Sequence, residues 1–285
     1  MTSYDVSADA TGGVRSVAEP RARFLDLVGS EWLKLWSLRS TTWSLLLSAL
    51  VVVGFNLGTA WDHYRYWFQY DAASRADFVA NELALWDAFT GNASMVLVLC
   101  ASATGAVAVT GEYGTGFVRT AFAAVPARGA LMAAKLLVIA GVQTVFGVVA
   151  AGLSFWSTQA VLAERGVGLP LTHPGALRIV VASALLAPVC ALAGAALGTV
   201  LRQSAVSVVG SVVLLLLVPS VLSDERRLSA VFAHATPLHA WQRLVAVGTH
   251  GESYPWTTGG AWLVYASWAL GAVAVSVVAV RRRDL

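Results

Sequence analysis

Residues 136–163 read LLVIAGVQTVFGVVAAGLSFWSTQAVLA, without one Asp, Glu, Lys or Arg between Lys135 and Glu164. An α-helix crosses roughly 30 Å of hydrocarbon with about 20 residues at 1.5 Å each. A charge at mid-membrane costs roughly 2.5–3.5 kcal/mol on insertion scales. A charge-free apolar run of this length therefore reads as a membrane-spanning helix. Five more windows have the same character: Arg39 to Asp62, Asp87 to Glu112, Arg178 to Arg202, Arg202 to Asp224, and Glu252 to Arg281. The six spans are placed near 41–60, 91–110, 133–155, 177–200, 203–222 and 259–280. A β-barrel would show short alternating segments instead. The expected fold is all-α, a polytopic membrane protein with six transmembrane helices.

The composition agrees. Of 285 residues, 57% are hydrophobic and 12% charged, against about 25% charged in a soluble domain. Among nineteen basic residues only Lys34 and Lys135 are lysines, a bias read as composition before function. Cys100 and Cys190 both lie in apolar stretches, where they read as small buried hydrophobes. No Cys/His spacing suggests a metal. Residues 1–22 are polar and broken by Gly12, Gly13 and Pro20; they read as a disordered cytoplasmic tail, not a signal peptide with its apolar core. Residues 23–285 then form one six-helix domain.

Lys and Arg near the span ends set orientation. With the N-terminus inside, twelve basic residues are cytoplasmic and seven external. The expectation is a plasma-membrane protein with both termini cytoplasmic. All five histidines (His63, His173, His234, His239 and His250) then lie outside, with spacings that match no metal pattern.

The segments between spans carry the functional signals. Residues 24–39, FLDLVGSEWLKLWSLR, place Asp26, Ser30, Lys34 and Ser37 on a polar stripe, with Phe24, Leu25, Val28, Trp32 and Leu35 on another face. This predicts an interfacial elbow helix with Trp32 and Trp36 at headgroup depth. Residues 110–129, TGEYGTGFVRTAFAAVPARG, carry Phe117, Val118, Ala121, Phe122 and Val125 at helical spacing up to Pro126. A short amphipathic helix between spans two and three follows. Gly111, Gly114 and Gly116 form neither G-x-x-x-x-G-K-[ST] nor G-x-G-x-x-G, so no nucleotide site is recognisable. The first outside loop begins at Trp61 with WDHYRYWFQY, six of ten residues aromatic, a sign of an interfacial belt. The second outside loop is placed at about 156–176. Residues 228–242 are charge-free but too short to span; a re-entrant or interfacial hairpin broken at Pro237 is expected before span six.

The six charge-free windows contain no Asp, Glu, His or Arg, which ion-driven transporters usually keep at membrane depth. No Ser/His or Asp/Asp pair signals intramembrane catalysis. Gly54/Gly58 and Gly194/Gly198 are G-x-x-x-G pairs that allow close helix approach, for packing or dimerisation. The chain reads as a membrane machine whose energy enters through a partner.

Two runs carry a family resemblance. SEWLKLWSLRSTTWSLLL, residues 30–47, resembles the E-W-x-K-L-x-S-x-R-S-T opening of bacterial ABC transporter permeases of the type-2, exporter-like class. TGEYGTGFVRTAFAAVPARGALMAAK, residues 110–135, is similar to their S-G-E-Y-x-T-G-x-I-R-x-T-L-x-x-x-P-x-R loop. Six spans, the segment before the last one and the terminal Arg281, Arg282 and Arg283 fit the same layout. Phe117 departs from the usual Ile or Thr, and His239-Ala240-Trp241 from the frequent Asn-Ala-Gly. The resemblance implies two permeases, as a homo- or heterodimer among membrane lipids, with an ABC ATPase subunit beneath each. It implies that ATP and Mg are bound by those partners, with no cofactor in this chain and no nucleic acid. Gly111, Glu112, Tyr113, Thr115, Gly116 and Arg119 would belong to the coupling helix region, and Glu31, Trp32, Lys34 and Arg39 to the elbow. From another class, a non-transporting scaffold or sensor could recruit a cytoplasmic protein through the 110–129 loop. A membrane enzyme with a site in the outer His- and Trp-rich loops is the third reading, weakened by the lack of a convergent catalytic pair. The transported substrate is not specified by these features.

Overall fold

A computed structural model describes residues 23–114, 127–222, 226–247 and 254–282. Among the described residues every regular element is helical. Helix α1 is Phe24–Ser37 and α2 Arg39–Tyr66, followed by a 3₁₀ turn, Trp67–Gln69. Then come α3 (Ala72–Ala80), α4 (Leu83–Ala88), α5 (Gly91–Gly114) and α6 (Arg128–Ala163). Helix α7 is Ala176–Leu201, α8 Ser204–Val221, α9 Arg227–His234, α10 Pro237–Val245 and α11 Thr258–Arg282. Six segments are long and apolar enough to cross a membrane: Arg39–Gln69, Leu83–Gly114, Arg128–Ala163, Ala176–Leu201, Ser204–Val221 and Thr258–Arg282. Each coincides closely with one of the six spans placed from the sequence, and the chain is a multi-pass membrane protein.

Helix α7 is the centre of the bundle. Its apolar window is 83% buried inside the protein, against 17% for that of the first span. The difference comes from small residues. A Cβ at Gly105 would stand 1.9 Å from the Ala191 carbonyl oxygen, and one at Gly194 would stand 2.0 Å from that of Ser102. Only bare Cα–H groups let α5 and α7 approach this closely. Gly147 of α6 meets the Ala184 carbonyl in the same way. Pro188 has removed the N–H that would otherwise bond that carbonyl within the helix. Gly194 and Gly198 are thus used within the chain, whereas a Cβ at Gly54 or Gly58 would meet nothing.

Buried polar side chains in the spans are almost all paired. Asn56, fully buried, donates to Ser154 Oγ at 2.9 Å and accepts from the Thr90 N–H at 2.8 Å, tying α2, α6 and the start of α5. Thr110, Thr199, Ser207, Ser211 and Ser276 donate to carbonyls one turn back in their own helices. Gln143 differs: its amide is buried without a hydrogen-bond partner.

Helices α7 and α8 are joined by only two residues. Arg202 adopts the left-handed conformation (φ 56°) and returns its N–H to the Gly198 carbonyl at 2.9 Å. Helix α8 contains one π-helical turn, Val213–Leu217, which ends two positions before Pro219. The widened turn accommodates a proline with no N–H to give back.

The inter-span segments depart from expectation in several places. Helix α2 runs on through Tyr66, so Trp61 lies in a helix and not at the start of a loop. The segment beyond is helical too: Asp71 caps α3 by accepting from the Ser74 N–H at 2.7 Å, a bond that holds its carboxyl below the usual range. Trp67 and Phe78 are buried against Ala60, Ala84 and Leu162, so part of the aromatic run packs inward, while Phe68 and Trp61 stay exposed. Helix α6 continues to Ala163, so residues 156–163 are helix, and the following connection is clamped by Gln159, which bonds both the Ala84 carbonyl and the Leu169 N–H. Helix α1 stops at Ser37, with Leu38 extended, so Arg39 begins α2 and is not the end of α1. On α1, Phe24, Leu25 and Trp32 are exposed, while Leu27 and Glu31 are buried.

The segment before span six is two helices broken at Ala235 and Thr236, just ahead of Pro237, which occupies the first turn of α10. Its contacts step along the spans. Ala246 accepts from Arg178 Nη2 near the start of α7, Trp241 Nε1 donates to Ser183 Oγ at 3.0 Å, and the Ala235 carbonyl accepts from Trp268 Nε1 at 2.7 Å.

Candidate functional site: a charged cluster at one end of the bundle

The most strongly charged interior point joins three elements far apart in sequence. Glu31 of α1 is 3% exposed, and Lys135, two turns into α6, is 7% exposed. Lys135 Nζ reaches Glu31 Oε2 at 2.5 Å and Glu112 Oε1, at the end of α5, at 2.8 Å. Lys34, one turn along α1, lies 2.5 Å from Glu31 Oε1 and 3.5 Å from Glu112 Oε1. The carboxylates and ammoniums alternate around the group. Such an arrangement repays the desolvation that an isolated buried charge could not. Leu27, Leu131 and Ala134 form the apolar patch beneath it.

Other elements converge on the same end. Arg202, in the α7–α8 turn, sets its guanidinium 5.3 Å from the Tyr113 ring centroid. Ser204 Oγ bonds Thr110 Oγ1 at 2.8 Å. Near the end of α11, Arg281 lies over Gly129, where a Cβ would stand 2.5 Å from Nε. Gly114 and Ala127, which bracket the segment 115–126, therefore emerge beside a point where the ends of α1, α5, α6 and α11 and the α7–α8 turn are fastened.

Of the residues singled out from the sequence, Glu31, Lys34 and Glu112 meet in this cluster, and Gly111 and Tyr113 flank it on α5. Trp32 is exposed and tilted against Trp36 with ring centroids 5.6 Å apart. Arg39 is exposed on α2. Thr115, Gly116 and Arg119, with the expected short helix, lie outside the described residues. Sequence reasoning missed Lys135, treating it as the border of a charge-free window. The structure corrects this: a charge sits inside the third membrane helix, held by two carboxylates. One signal was available: both lysines of this arginine-rich chain are in the cluster. A compact ammonium with three donors can bridge two carboxylates where a planar guanidinium would need more room.

A second pair was also missed. At the opposite end, His63 Nδ1 of α2 lies 2.6 Å from Asp87 Oδ2 of α4, with Asp87 3% exposed. The His63 ring is held edge-on by Phe78 at 5.1 Å. The pair fastens α4 to α2. His63→Leu removes the imidazole paired with Asp87 and is expected to cost about 2 kcal/mol. Asp87→Asn, which keeps a hydrogen-bonding group there, is expected to cost about half that. Thermal unfolding of the detergent-solubilised protein distinguishes the two.

Among the described residues no group of three or more His, Cys, Asp or Glu is arranged to hold a metal. No protein-family model and no curated protein sequence matches the chain.

Proposed function

We propose that this chain is the transmembrane subunit of an ATP-driven ABC exporter, working as a dimer and coupled to separate ATPase subunits. The carrying observation is the Glu31–Lys34–Glu112–Lys135 cluster. It makes the elbow helix and the ends of spans two and three one mechanical unit at the two ends of segment 115–126. A push delivered to that segment would move α1, α5 and α6 together. The motif similarity of residues 30–47 and 110–135 supports the same reading, with this end in the cytoplasm of a bacterial cell.

Two finer readings belong to the proposal. The exposed Phe24, Leu25, Trp32 and Trp36 support an elbow lying in the membrane interface. The stepwise contacts of the α9–α10 hairpin support a re-entrant segment. Trp268, which holds its turn, lies about 15 Å along α11 from the helix start, with its side chain leaning back toward that start.

The test uses the ATPase that co-purifies with the chain, reconstituted with it in vesicles. Arg119→Ala is expected to lower permease-dependent stimulation of ATP hydrolysis about tenfold, equivalent to one charged anchor of ~1.4 kcal/mol. Unchanged stimulation, or the absence of any co-purifying ATPase, would overturn the reading. If an ATPase binds but no solute moves with ATP, a scaffold or sensor that recruits it becomes the better account.

A further inference from the structure

We propose that an open groove between spans four, five and six holds one acyl chain of a membrane lipid as a bound component of the fold. The groove encloses about 310 Å³. Its floor is α7, at Ala193 and Leu197; one wall is Leu214 in the π-helical turn of α8, and the other is Trp268, Gly271 and Val275 of α11. Spans five and six sit on different flanks of α7, and the small residues Ala193 and Gly271 leave the slot between them.

Three features select the occupant. The first is cross-section. From Ser267 to Val275 the groove follows α11 for about 12 Å, and about 310 Å³ over that length makes a narrow slot. One hydrocarbon chain fits along such a slot, whereas a helix of about 10 Å diameter would stand largely outside it. The second is polarity. The two polar side chains in the lining are already committed: Ser267 Oγ donates to the Val264 carbonyl at 2.8 Å, and Trp268 Nε1 to the Ala235 carbonyl at 2.7 Å. A headgroup or a polar solute finds no partner there, whereas a methylene chain needs none. The third is position. The lining residues of α11 lie near the middle of that helix, where the surrounding medium is acyl chains and not headgroups. A chain seated there presses on Trp268, whose indole carries the turn of the α9–α10 hairpin. This inference does not depend on the exporter reading.

The protein in nanodiscs made with phosphatidylcholine bearing a diazirine midway along one acyl chain tests it by photolabelling and peptide mapping. Labelling is expected to concentrate on residues 193–200 and 267–275, above the equally apolar exposed surface around Val145 and Leu263. Gly271→Leu fills the groove without strain, because a Cβ there meets nothing within 4 Å; it is expected to lower groove labelling about tenfold. Gly141→Leu, equally unobstructed on α6, is expected to leave it unchanged. Uniform labelling of all exposed apolar faces, labelling unchanged by Gly271→Leu, or replacement of lipid by cross-links to a second copy would each overturn the proposal.

Discussion

Lys135→Met is expected to destabilise the protein by about 3–5 kcal/mol, the usual cost of removing one partner from a buried ion pair. Lys135 Nζ holds Glu31 at 2.5 Å and Glu112 at 2.8 Å, and Glu31 is 3% exposed. Without the ammonium, Lys34 is left between two carboxylates, and one negative charge stays unbalanced beside the buried Glu31. Either that charge persists at its desolvation cost or a carboxyl takes up a proton, and both oppose folding at neutral pH. A second substitution identifies the cause. Lys135→Met combined with Glu112→Gln restores the charge balance within the four residues and is expected to recover at least half of the loss. If the double variant is no more stable than the single one, packing of the lysine stem accounts for the effect instead. Thermal unfolding in detergent, followed by intrinsic tryptophan fluorescence, reads both.

Gly194→Leu is expected to prevent recovery of a folded, monodisperse protein. Its Cβ would enter 2.0 Å from the Ser102 carbonyl oxygen, and backbone cannot swing aside as a long side chain does. Separating α5 from α7 by even an ångström forfeits dispersion contacts along the most buried helix of the bundle. Gly194→Ala presents the same first atom with less bulk and is expected to cost about 1–3 kcal/mol. Gly54→Leu is the control, since a Cβ there meets no atom within 4 Å. It should give normal yield and a normal gel-filtration profile as a single chain. The contrast separates a glycine spent on internal packing from one on an open helix face, a distinction that the shared G-x-x-x-G spacing does not make.

The candidate site was half legible. Glu31, Lys34 and Glu112 stood out because they lie in the two runs, residues 30–47 and 110–135, that carry the family resemblance. Lys135 did not, because counting charges marks the border of an apolar window and does not show which carboxylates the bordering charge will meet. Helix α6 begins at Arg128, seven residues before Lys135, since the backbone keeps its hydrogen bonds through a lysine as readily as through a leucine. His63 and Asp87 were individually visible, twenty-four positions apart. Their meeting depends on α4 folding back against α2, for which no local pattern speaks. Similarly, the amphipathic pattern of residues 24–39 gave a helix with an outward apolar face but did not show which residue turns inward. Glu31 faces the protein because Lys135 waits there, while Trp32 and Leu25 face outward.

By itself the sequence determined the number of membrane-crossing helices, the helical state of residues 24–37, and the break before Pro237. Those depend on how many apolar residues adjoin one another and on residues that locally favour or end a helix, which are properties of the chain read in order. Only the tertiary structure decided which helix lies at the centre, which glycines are spent on close approach, and which charges share a site. Those depend on distances between residues such as Glu31 and Lys135, 104 positions apart. Such distances are fixed by how helix surfaces fit together, and a one-dimensional pattern carries no record of that fit.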